Sequence, residues 1–164
     1  MSVSSGTETN QYLSFILEDE VFALDISKVR EVLDYTAVSK VPRTADFMLG
    51  VINLRGSVVP VVDMRLKFGL SRTVKTVNTC IIIVEVEIDG ETTILGALAD
   101  SVQEVMDLAP DQIEPPPQIG TRLKTRFIKG MGKREGHFVI ILDIDKVFSA
   151  DELFAAEEMA SADP

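Results

Sequence analysis

His137 is the only histidine of this sequence and Cys80 its only cysteine. His137 follows a Glu-Gly pair that reads as a turn, which predicts an exposed or edge-strand position rather than a general acid or base. Cys80 opens the apolar run CIIIV at 80–84, where a thiol behaves as a small hydrophobe with a raised pKa and not as a nucleophile. A lone cysteine excludes an internal disulfide and fits a reducing compartment. One histidine and one cysteine cannot build the usual His/Cys zinc site within one chain. Asp143 and Asp145 lie two apart in DID, but the related segment VVDMR follows Asp63 with Met64 and Arg65, so the pair is not repeated. Capping of short helical turns accounts for these aspartates better than metal ligation or proton transfer. GMGK at 130–133 lacks the leading Gly and the following Ser or Thr of a phosphate loop. No catalytic, metal-binding or cofactor-binding residue is expected, and the chain reads as non-enzymatic.

The elements that carry these residues repeat. GVINLRGSVVPVVD (50–63) aligns without a gap on GMGKREGHFVIILD (130–143), pairing Gly50 with Gly130, Gly56 with Gly136, Val59 with Val139 and Asp63 with Asp143. Phe47 pairs with Phe127 and Phe68 with Phe148 at the same offset, and VREVLD (29–34) matches VQEVMD (102–107). Two blocks in one order indicate an internal duplication. In each copy, apolar runs flank tight turns, which predicts four β-hairpins: around Glu18 to Glu20, Arg55-Gly56, Asp89-Gly90 and Glu135-Gly136, the last with a short polar segment before its turn. With the VREVLD-type strand, each copy has about five short strands, enough to close a small barrel. The expected class is all-β, with short helical turns after Asp63 and Asp143 and a helix from about Asp151. EPPP at 114–117 reads as a stiff extended connection that cannot continue a ladder. The expected divisions are a tail at 1–11, a first barrel at 12–75, a second at 76–150, and a C-terminal helix and tail at 151–164.

The 26 acidic residues outweigh the 16 basic ones, giving a net charge of -10. That balance disfavours binding to nucleic acid or to an anionic membrane surface. Lys124, Arg126, Lys129, Lys133 and Arg134 are read as ordinary solvated surface. Residues 1–10 have neither a basic start nor an apolar core, and no apolar run approaches the ~20 residues of a membrane-spanning helix. The expected location is the cytoplasm.

LGVINLRGSVVPVVDMRLKFGL (49–70) resembles the most characteristic stretch of the CheW family: a Gly, Asn-Leu-Arg-Gly, an apolar strand with Pro, then Asp before a helical turn. FALDISKVREVL (22–33), VPRTADFMLG (41–50), GALADSVQEVMDL (96–108) and LDIDKVF (142–148) follow in the expected order, so the resemblance covers roughly 12 to 155. It implies two SH3-like five-stranded β-barrels with a groove between them, no cofactor and no reaction. It implies as partners the regulatory domain of the histidine kinase CheA and the cytoplasmic tip of chemoreceptors, with recruitment to membrane-associated receptor arrays and weak self-association there. Matched positions make Val29, Gly50, Asn53, Arg55, Val102 and Val105 the expected partner contacts, with ordinary strand packing as the competing account of the valines and the glycine. Alternation along Val51 to Arg55 turns Ile52 and Leu54 toward a core and Asn53 and Arg55 outward. The counterpart of Arg55 is Glu135, so the barrel itself does not demand a cation there. Residues 118–136 depart most from the family pattern. The competing class is a small RNA-binding barrel, which wants exposed aromatics beside basic residues; this chain has no Trp, two Tyr and an acidic excess.

Overall fold

The computed structural model describes residues 9–40, 45–116 and 125–149; the expected C-terminal helix and most of the N-terminal tail lie outside them. The strands are β1 (Asn10–Leu17), β2 (Glu20–Asp25), β3 (Val29–Asp34), β4 (Met48–Leu54), β5 (Ser57–Asp63), β6 (Cys80–Ile88), β7 (Glu91–Ala99), β8 (Ser101–Leu108), β9 (Ile113–Glu114), β10 (Ile128–Arg134) and β11 (His137–Leu142). Two single-turn helices, α1 (Met64–Lys67) and α2 (Ile144–Val147), follow β5 and β11.

All four expected hairpins form. At three of them both central residues take positive φ, as a type I′ turn requires: Arg55 and Gly56 at 52° and 89°, Asp89 and Gly90 at 51° and 80°, Glu135 and Gly136 at 50° and 80°. The segment before Glu135, which reads as short and polar, is a seven-residue strand. Its glycines explain how: a Cβ on Gly130 would come within 2.6 Å of the Ile113 side chain, and one on Gly132 within 2.8 Å of Leu108. GMGK therefore packs a sheet and cradles no phosphate. Glu114, expected in the stiff connection, instead pairs with Met131 inside the ladder; Pro117 lies outside the described residues.

The strands form two sheets, ordered β3-β6-β7-β5-β4 and β8-β1-β2-β11-β10-β9. Under the duplication β3 corresponds to β8, β4 to β10, β5 to β11, β6 to β1 and β7 to β2, and apart from the short β9 the two orders are then the same. Details agree too. β5 runs parallel to β7 as β11 does to β2. A register shift falls between Met48 and Gly50 and again between Ile128 and Gly130. The Asp63 N–H donates to the Phe47 carbonyl at 2.7 Å, and the Asp143 N–H to that of Phe127 at 2.8 Å. Each sheet bends round so that the stretch beyond its edge strand meets the far edge: Ser39 pairs with Val51, and β9 with β10. These are two SH3-like barrels.

The barrels do not follow the sequence halves. Hairpin β1–β2 lies in the barrel of β8 to β11, and hairpin β6–β7 in that of β3 to β5. A division between 75 and 76 therefore separates the copies in sequence but cuts through both barrels in space. The cause is that these hairpins are apolar on both faces. In β6, Ile81 and Ile83 point into one barrel with Ile52, Val59, Val61 and Leu98. Ile82, Val84, Val86 and Ile88 point the other way, onto Leu13, Phe15, Leu17, Phe22 and Leu24 of the β1–β2 hairpin. Tyr12 and Ala23 face the interior of the second barrel with Met106, Leu108, Val139 and Ile141. The molecule thus has three apolar layers, with the exchanged hairpins back to back at the centre. Each central strand is covered on both sides, which is why CIIIV shows no alternation.

Candidate partner-binding surfaces

On β3, the Glu31 carboxylate receives the Arg55 guanidinium, whose Nη1 lies 3.4 Å from Oε1 and whose Nη2 pairs with Oε2. Arg55 holds the Glu31 carboxyl below the ordinary range, and the carboxylate raises the guanidinium in turn. The Arg55 side chain is 70 % exposed, as alternation predicts. Beside the pair Val58 is 56 % exposed, and the two line an open cleft of about 490 Å³ with Leu54, Ser57 and Ile94.

The second barrel carries the same arrangement. Glu104 corresponds to Glu31 and pairs with Arg134 at 3.6 Å. Phe138 corresponds to Val58 and is 54 % exposed, in a cleft of about 570 Å³ with Val21, Glu135 and His137. The cation has moved by one residue, from the turn position Arg55 to the strand end Arg134, so Glu135 leaves the ion pair intact. Val32 on β3 and its counterpart Val105 on β8 are also exposed.

The expected contact residues divide. Arg55 and Val105 present surface. Asn53 is exposed, and its Oδ1 accepts from the Gly56 N–H at 2.8 Å, so it braces the turn that aims Arg55. Val29, the first residue of β3, and Val102, the second of β8, are half-buried against the central layer. Gly50 offers no surface: it is buried at φ 147°, where a Cβ would stand 1.9 Å from the Ser39 carbonyl oxygen. Packing is what requires glycine there. Sequence reasoning missed Val32, Val58, Phe138 and the two glutamates. Aligning the copies on exposed apolar positions, not on identical residues alone, finds them.

The residues considered for chemistry are dispersed. Burial raises the Cys80 thiol pKa. His137 is exposed at the start of β11. Asp63 is buried and caps α1, accepting from the N–H groups of Arg65 at 3.0 Å and Leu66 at 3.4 Å, while Thr73 donates to it at 2.7 Å. Asp143 stands at the N-cap of α2 without a capping bond. Asp145 is not a cap, because its carboxylate is taken by the Lys28 ammonium and the Glu87 N–H. Lys133 pairs with Glu114 and Arg134 with Glu104, so neither adds to a basic patch; Lys124 lies outside the described residues. Among the described residues no three His, Cys, Asp or Glu side chains gather to hold a metal, and no helix is long and apolar enough to cross a membrane.

Residues 11–152 match the family model of the CheW-like domain. The chain is 33 % identical over 160 residues to the chemotaxis protein CheW of Klebsiella aerogenes, covering 98 % of this chain and 94 % of that one. It is 31 % identical over 146 residues to the chemotaxis protein CheW of Rhizobium meliloti, covering 89 % and 92 %. Among solved structures it resembles the scaffolding protein TtCheW from Thermoanaerobacter tengcongensis with a TM-score of 0.78 at 34 % identity, over 88 % of this chain and 96 % of that one.

Proposed function

The chain belongs to the CheW-like domain family, and from that premise we propose that it is a non-catalytic scaffold coupling the cytoplasmic tips of chemoreceptors to the regulatory domain of the histidine kinase CheA. The observation that carries the reading is the pair of equivalent faces, one per barrel, each an exposed apolar side chain beside a Glu–Arg ion pair. An adaptor needs two faces, and the barrels present Val58 by Arg55 on one and Phe138 by Arg134 on the other. Apolar side chains rimmed by charge give a contact both area and orientation. Val29, Asn53, Arg55, Val102 and Val105 join these faces as proposed contacts. The location that goes with this role is the cytoplasm, at receptor arrays. Relatives named as chemotaxis and scaffolding proteins support the reading.

The test is capture of purified receptor tips and of the CheA regulatory domain by the immobilised chain, with filter binding of single-stranded RNA alongside. Capture of both proteins without retention of RNA is the expected result. A folded chain that captures neither would overturn the proposal, and saturable RNA retention would place it in the competing class of small barrels.

A further inference from the structure

Two polar junctions cross between the barrels at corresponding positions. Arg65, on α1 after β5, reaches the β1–β2 turn of the other barrel: Nη1 lies 3.1 and 3.2 Å from the Asp100 carboxylate and Nη2 3.4 Å from Glu18 Oε2. The Glu18 N–H donates to Asp100 at 2.6 Å, and Ser71 bridges Glu18 and Arg65 at 2.7 and 2.6 Å. Asp145, on α2 after β11, makes the reciprocal reach. Its carboxylate accepts from the Glu87 N–H of β6 at 2.8 Å and from Lys28 Nζ at 2.8 and 3.0 Å. By the alignment of copies Arg65 corresponds to Asp145, and by strand register Glu18 corresponds to Glu87. Asp100 and Lys28 both lie in the links that carry the chain from one barrel to the other. The same joint is therefore built twice with the charge of its central residue reversed.

We infer that these two joints fix the angle between the barrels, so that the central apolar layer supplies cohesion and the joints supply direction. Apolar contact is non-directional and tolerates rotation of one face on another. Charge-assisted hydrogen bonds have narrow geometry, and their attested role in cores is to choose among packings of similar energy. Arg65 is mostly buried, which limits screening of its pair by solvent. The joints sit where each helix meets the other barrel's hairpin, so both must break before the barrels can turn. This device belongs to the chain by itself, apart from any partner.

Spin labels at Asp34→Cys and Asp107→Cys, exposed and equivalent ends of β3 and β8, in a Cys80→Ala background, report the inter-barrel distance of the full chain. One narrow distribution is expected for that parent, for Arg65→Lys and for Asp145→Glu. Arg65→Ala combined with Asp145→Ala should at least double the width while circular dichroism stays unchanged. A double variant as narrow as its parent overturns the inference. Should the double variant not fold, amide exchange in the unmodified chain decides. The Glu18 and Glu87 N–H groups must then exchange at least tenfold more slowly than unstructured amides, and unprotected exchange at either overturns the inference.

Discussion

Arg55 occupies a turn position with left-handed backbone, and its side chain reaches Glu31 within β3. An exposed ion pair contributes little to stability. Arg55→Ala should accordingly melt within about 2 °C of the parent, yet weaken capture of at least one partner about thirtyfold, or ~2 kcal/mol. Calorimetry and titration on one preparation measure both; a large drop in melting temperature or unchanged capture would refute the assignment. The pair also has a pH signature. Because the folded-state pKa of Glu31 lies below its unfolded value, the pair's contribution is present above the ordinary carboxylate range and fades as pH falls through the lowered value. Carboxyl NMR should show Glu31 titrating below the ordinary range in the parent and moving back toward it in Arg55→Ala. The outward turn of Arg55 was legible in the alternation from Val51. Its partner was not, since nothing local ties position 31 to position 55. Gly50 is the opposite case. Gly50→Ala forces a Cβ onto the Ser39 carbonyl and into a positive-φ conformation, which should cost about 3 kcal/mol and lower the melting temperature by roughly 10 °C. A thermal scan within 2 °C of the parent would contradict that packing.

At the level of the hairpin, the duty of an aromatic side chain follows from the layer its strand face meets. Phe15 on β1 is fully buried in the central layer and stacks on Phe22 with ring centroids 5.9 Å apart. Phe15→Ala should cost ~3–5 kcal/mol. Phe138 on β11 stands in the open cleft, so Phe138→Ala should change stability by only ~0.5 kcal/mol while weakening partner capture. Denaturant melts of the two variants separate these outcomes, and equal losses of stability would show that Phe138 is a core residue. The hairpins were legible because their turn chemistry is local: Arg-Gly and Asp-Gly each lie between apolar runs, and Glu-Gly between a short polar segment and the apolar HFVIIL. Which barrel a hairpin joins was not. β1–β2 and β6–β7 are apolar on both faces, and a pattern that lacks a polar side does not say what covers each.

Over the whole molecule, the exchange of hairpins makes each barrel a product of both copies. Among the described residues, 1–75 hold β3 to β5 of one barrel and the β1–β2 hairpin of the other, and 76–164 hold β8 to β11 of that other barrel and the β6–β7 hairpin of the first. Made as separate fragments, neither should show the circular dichroism or the dispersed NMR spectrum of the parent alone. Mixed in equal amounts, they should recover both. A fragment that folds by itself would contradict the interleaving. Duplication was legible in the paired glycines, aspartates and phenylalanines, and with it the likeness of the barrels, but their interleaving depends on long-range pairing that no short motif records. The interleaving also settles how stability answers to mass action. A single half is left with a hairpin that has no barrel of its own, so two halves are held together only at a cost that grows with dilution. The connection at 71–79 makes that encounter intramolecular and fixes its effective concentration. The melting temperature of the mixed fragments should climb with their concentration, whereas that of the continuous chain should stay where it is.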